Sequence, residues 1–144
     1  MSSVVISGDT SGAITLTATA VAGTNTITLP ASTGTVALNG VAQTYTSPTR
    51  GTVTTDNDGS FDMNVTNNFK CTPTGTFTLT FTNITAGQSG YILLVNTSGY
   101  AITAAATTKV GGSFLSTVSS AGTYLVSYFT DGTNVYCTAS GALA

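Results

Sequence analysis

Three aspartates within seven residues, in Asp56-Asn57-Asp58-Gly59-Ser60-Phe61-Asp62, form the densest ionisable cluster of this sequence. Carboxylates at alternate positions beside a glycine superficially resemble a calcium loop. The EF-hand form needs glycine at its sixth position and glutamate at its twelfth, and this stretch supplies neither. Asp58-Gly59 between two strand-like runs reads better as a tight hairpin turn. Paired-carboxylate glycoside hydrolysis is no better served, because the three acids crowd one turn with no sugar platform beside them. The chain has no histidine and no glutamate, so none of its many Ser and Thr hydroxyls has an imidazole base to activate it. Cys71 and Cys137 without histidine cannot form a common zinc site. Far apart in strand-like stretches, they read as two buried, reduced thiols, with an intrachain disulfide as the alternative. Lys70 and Lys109 alone make a weak case for a nucleophile. The expectation is a non-enzyme with no catalytic residue, cofactor or metal.

Charge is scarce throughout. Only 6% of the residues are charged, against roughly 25% in a typical soluble domain. Charge normally keeps sheet edges and surfaces apart, so such a chain is most at ease when neighbours cover it. A basic footprint for nucleic acid is missing, since only Arg50, Lys70 and Lys109 are cationic. Mean hydropathy is +0.31, yet the densest apolar run, residues 91–95, is far shorter than the ~20 residues of a membrane helix. Neither a membrane partner nor a signal peptide is expected. The apolar fraction of 41% argues for a folded core.

The elements that must position these residues read as strands. Phe77-Thr78-Leu79-Thr80-Phe81-Thr82 alternates with period two, as do residues 61–66, which puts apolar groups on one face and polar ones on the other. Further runs cover residues 91–96, 114–118, 123–130 and 133–138. Gly and Asx punctuate them at Asp58-Gly59, Ser98-Gly99, Gly111-Gly112, Ala121-Gly122 and Asp131-Gly132. Strands at such spacing are the signature of a sandwich or barrel, and no stretch shows a helical stripe; the expectation is an antiparallel β-sandwich, with a jelly roll as one form of it. Residues 51–144 are assigned to this domain and residues 41–50 to a connector.

Residues 1–40 differ in kind. Gly12-Ala13-Ile14-Thr15-Leu16, Gly23-Thr24-Asn25-Thr26-Ile27-Thr28-Leu29 and Gly34-Thr35-Val36-Ala37-Leu38 are three short strands whose leading glycines step evenly by eleven. Each offers two or three apolar side chains and cannot build a core alone. The segment reads as an N-terminal β-strand arm for oligomerisation or attachment. Its candidate interface is Ile14, Leu16, Ile27, Leu29, Val36 and Leu38.

Ser7-Gly8-Asp9-Thr10-Ser11-Gly12-Ala13-Ile14-Thr15-Leu16, with the following Ala22-Gly23-Thr24-Asn25-Thr26-Ile27-Thr28-Leu29-Pro30, resembles a segment common in tailed-bacteriophage virion proteins. Ile84-Thr85-Ala86-Gly87-Gln88-Ser89-Gly90-Tyr91, Ser120-Ala121-Gly122-Thr123-Tyr124 and Asp131-Gly132-Thr133-Asn134-Val135-Tyr136 resemble a β-sandwich module of the same proteins. The resemblance implies a virion structural protein of head or tail, made in the host cytoplasm; a place on the capsid surface is the expectation. With no shaft in the sequence, the expectation is a capsid decoration (cement) protein that forms a homotrimer and binds the major capsid protein. The alternative is a tail-fibre or head-fibre component with a receptor- or glycan-binding role. Tyr91, Tyr100, Tyr124, Tyr128 and Tyr136 keep that alternative open, although half-buried strand tyrosines are the plainer expectation.

Overall fold

The computed structural model describes residues 3–7, 11–17, 24, 42, 44, 45 and 47–143. The chain divides into two units, Met1–Thr44 and Tyr45–Ala144. In the first, β1 (Ser3–Ser7) pairs antiparallel with β2 (Ala13–Thr17), with Ile6 opposite Ile14 and Val4 opposite Leu16. The sequence reading anticipates β2 but not β1. Apart from Thr24, the second and third arm strands, with Ile27, Leu29, Val36 and Leu38, lie outside the described residues.

The second unit contains β3 (Val53–Thr55), β4 (Ser60–Asp62), β5 (Asn68–Cys71), β6 (Phe77–Thr82), β7 (Ser89–Asn96), β8 (Ile102–Ala104), β9 (Thr108–Val110), α1 (Phe114–Val118), β10 (Gly122–Thr130) and β11 (Val135–Ala139). Two sheets result, one of order β3-β5-β7-β10-β11-β9 and one of order β4-β6-β8. The all-β expectation holds. The strand directions differ from an antiparallel sandwich. From β3 to β8 the chain visits the two sheets alternately, so each strand lies parallel to the one laid down a turn earlier. This is a solenoid-like winding. Within this unit, antiparallel pairing joins β10 to its neighbours β7 and β11, while β9 runs parallel to β11. The reason is physical: period-two alternation says which side chains face the core, and says nothing about the direction of the neighbouring strand.

The core lies between the sheets. Phe61, Leu79, Phe81 and Ile102 from the smaller sheet meet Phe69, Ile92, Leu94, Tyr124, Val126 and Tyr128 from the larger. A chain of tilted rings stitches the layers, with centroids 5.0 Å apart for Phe61–Phe69, 5.7 Å for Phe61–Phe81 and 5.1 Å for Phe81–Tyr128. On the opposite side of β6 the threonines bond across rungs, as Thr78 Oγ1 does with Thr103 Oγ1 at 2.9 Å. Among the described residues, Asn96 is one of three buried polar residues, with Thr108 and Thr130. Its amide donates to the carbonyls of Tyr100 and Val118 and accepts from the Tyr100 N–H, each at 2.9 Å.

Three local expectations are corrected. Residues 114–118 form α1 and not a strand, burying Phe114 and Val118 one helical turn apart. Hydroxyls of Ser116 and Thr117 both donate to the Ser113 carbonyl, so residues of strand-like propensity coil because packing decides. The strand over residues 61–66 stops at Asp62, whose carboxylate accepts the Asn64 N–H at 2.9 Å and turns the chain. Asp58-Gly59 is a turn, with Gly59 at φ 85°. It is a corner between sheets and not a hairpin, since β3 and β4 belong to different sheets. The hairpin signal at Asp131-Gly132 does join β10 to β11.

Candidate functional site

The acidic turn is occupied with holding itself together. Asp56 Oδ1 accepts the Asp58 N–H at 3.3 Å, Asp58 Oδ1 accepts the Ser60 N–H at 2.8 Å, and Asp62 Oδ1 also accepts the Asn83 amide at 2.8 Å. Burial, followed by the neighbouring Asp58, raises the Asp56 pKa, whereas the Asn83 amide and the Asn64 N–H lower that of Asp62. These are chain-turning bonds in which a side-chain oxygen replaces a backbone acceptor. Cys71 and Cys137 are both buried, and desolvation pushes each thiol up to about 12. Such thiols are poor nucleophiles at neutral pH.

The five candidate tyrosines split. Tyr124 and Tyr128 are core residues whose hydroxyls donate to the Ser120 and Asn67 carbonyls, at 3.0 and 2.9 Å. Burial raises the Tyr128 pKa to about 12. Tyr100 is half-buried. Tyr91 and Tyr136 stand exposed on the outer face of the six-stranded sheet. Tyr136 OH donates to Asp131 Oδ2 at 2.8 Å, and the other oxygen of that carboxylate accepts the N–H groups of Thr133 and Asn134. Those three bonds, the Asn134 N–H foremost, hold the Asp131 carboxyl down at about 2.

Tyr91 and Tyr136 do not stand alone. Strand alternation brings Leu93, Leu125 and Phe129 to the same outer face, and Val53 lies towards its edge. Leu93 sits opposite Leu125, and Phe129 opposite Tyr136. These six side chains are 37–65% exposed. Charge at this face comes from Lys70 on β5 and Lys109 on β9, both exposed, and from Asp131, bonded to Tyr136 at its margin. An exposed surface bearing several large apolar side chains and little charge is the usual mark of a docking face.

No protein family, curated protein or solved structure matches this chain in sequence or in fold.

Of the predicted arm interface, Ile14 and Leu16 lie on β2, and the other four residues fall outside the described region. The outer-face residues Val53, Leu93, Leu125 and Phe129 are missed by sequence reasoning. A signal was present. Tyr91-Ile92-Leu93-Leu94-Val95 and Tyr124-Leu125-Val126 are continuous apolar runs, which a strand shows when both of its faces are destined for burial.

Proposed function

We propose that this chain is a non-catalytic virion structural protein of a tailed bacteriophage, a homo-oligomeric decoration that stabilises the capsid from outside. One observation carries the reading: the outer face of the six-stranded sheet presents Leu93, Leu125 and Phe129 to solvent with little charge around them. A protein this poor in charge gains by covering such a face with a second copy or with the major capsid protein. The sequence resemblance to phage virion proteins supports the same class. The arm of residues 1–40 is the proposed attachment device, and a homotrimer is the proposed assembly, because closed symmetry buries sticky surfaces without needing charge.

A decoration subunit binds the assembled shell and not its dispersed parts, so it stabilises the shell by mass action. The gain is about 2.7 kcal/mol per site at a hundredfold excess over Kd. Phage particles lacking this protein are therefore expected to assemble and to release DNA at a temperature several degrees lower. Unchanged heat release would overturn the decoration reading. The solenoid-like stacking of β3 to β8 favours a second reading, a head-fibre or tail-fibre component. It gives normal heat release with impaired adsorption.

A further inference from the structure

A groove of about 550 Å³ opens where the segment around residues 49–52 meets the Tyr91 end of the outer sheet face. We propose that this groove is a binding site for an uncharged glycan, a role beyond the structural one above.

Its construction begins with a floor. The Asn67 carbonyl accepts both the Tyr91 N–H at 3.0 Å and the Tyr128 hydroxyl at 2.9 Å. Gly90 permits this approach, because a Cβ there would collide with that carbonyl. One wall is a clasp in which Thr66 Oγ1 donates to the Thr52 carbonyl at 2.6 Å and accepts the Asn68 N–H at 3.1 Å. Across the groove, Asn68, Tyr91 and Ser127 are register partners on β5, β7 and β10, which sets an amide, a ring and a hydroxyl in one row.

The chemistry of that row selects a ligand. Tyr91 is 53% exposed and offers the face of a ring that is apolar with a polar tip. That matches the C–H face of a pyranose. The half-buried Asn68 amide makes no side-chain hydrogen bond among the described residues, so it has both donors and its acceptor to offer. The Ser89 and Thr49 hydroxyls line the same space and can turn as donors or acceptors. None of the described residues lining the groove is charged; Arg50, between two of them in sequence, is exposed and is not among them. An anionic ligand would lose its hydration here without a partner charge. A neutral sugar would exchange its water for amide and hydroxyl groups, in a groove of the volume that small-ligand sites occupy.

The test uses the purified full chain on an array of immobilised neutral and acidic oligosaccharides, with hits measured by calorimetry. Neutral oligosaccharides are expected to bind. Tyr91→Ala and Asn68→Ala should each weaken binding about tenfold or more, whereas Tyr91→Phe, which keeps the ring, should weaken it less. Ser89→Tyr, a substitution at an exposed position that fills the groove, should abolish binding while leaving the thermal melt unchanged, which separates a lost site from a lost fold. Binding of acidic glycans alone, no binding at all, or binding that survives Ser89→Tyr would overturn the proposal. The outcome is independent of the heat-release experiment, because no virion is involved.

Discussion

Ile92 and Leu93 are adjacent on β7 and nearly equal in size, yet one is 1% exposed and the other 37%. Ile92 belongs to the inner face of the six-stranded sheet, with Phe69 and Val126 as register partners. Leu93 belongs to the outer face, between Lys70 and Leu125. Both faces carry large apolar side chains, and among the described residues only the inner one is covered. The inner face therefore reports how the protein folds, and the outer face is the one proposed above to meet a partner. Apolarity alone does not tell a core from an interface; the facing layer does.

Substitution separates the two most sharply. Ile92→Ala should cost about 2–5 kcal/mol, lost transfer energy plus a cavity between Phe69 and Val126, read as a lower denaturant midpoint. Asn96→Ala tests a buried polar residue on the same inner face. Leaving the Tyr100 and Val118 groups unpaired should cost about 1–3 kcal/mol for each buried group, and loss of only a few tenths would mean that water replaces the amide. The paired change Leu93→Ser with Leu125→Ser should cost about 1 kcal/mol or less in stability. It should nevertheless abolish self-association in light scattering and loading onto particles; a variant that still associates would move the interface elsewhere.

The smallest effect is a pH dependence confined to the outer face. Asp131 has its pKa lowered from 3.8 to about 2 by bonds present only in the fold. Its contribution is therefore complete above the unfolded value of 3.8 and is lost as pH falls through about 2. Asp131→Asn should flatten the stability profile in that window, and a carboxyl resonance titrating near 4 in the intact protein would show the turn to be open in solution.

Much of this was legible from residues. Phe77-Thr78-Leu79-Thr80-Phe81-Thr82 announces its own buried face, and Asp131-Gly132 announces its hairpin. Strand direction was hidden, because Phe61 contacts Phe81 equally well in a parallel or an antiparallel ladder. The helix of residues 114–118 was hidden by its length, since five residues with two apolar ends fit either period. The groove was hidden for a different reason. Its parts come from residues 49–52, 66–68, 89–91 and 127–128, and only the winding of the chain brings them together.

The sheet order carries a last consequence, for the chain as it leaves the ribosome. The hairpin β10–β11 is wedged between β7 and β9, although β9 is made before it. At about 5–20 residues per second, residues 111–139 follow β9 after a few seconds. Until they arrive, the nascent chain shows bare strand edges on both sides of the empty slot, and any neighbour on the same messenger can pair there first. Truncation before β10 should therefore yield aggregates and not a smaller folded protein, and slow decoding of codons 111–139 should lower the soluble yield.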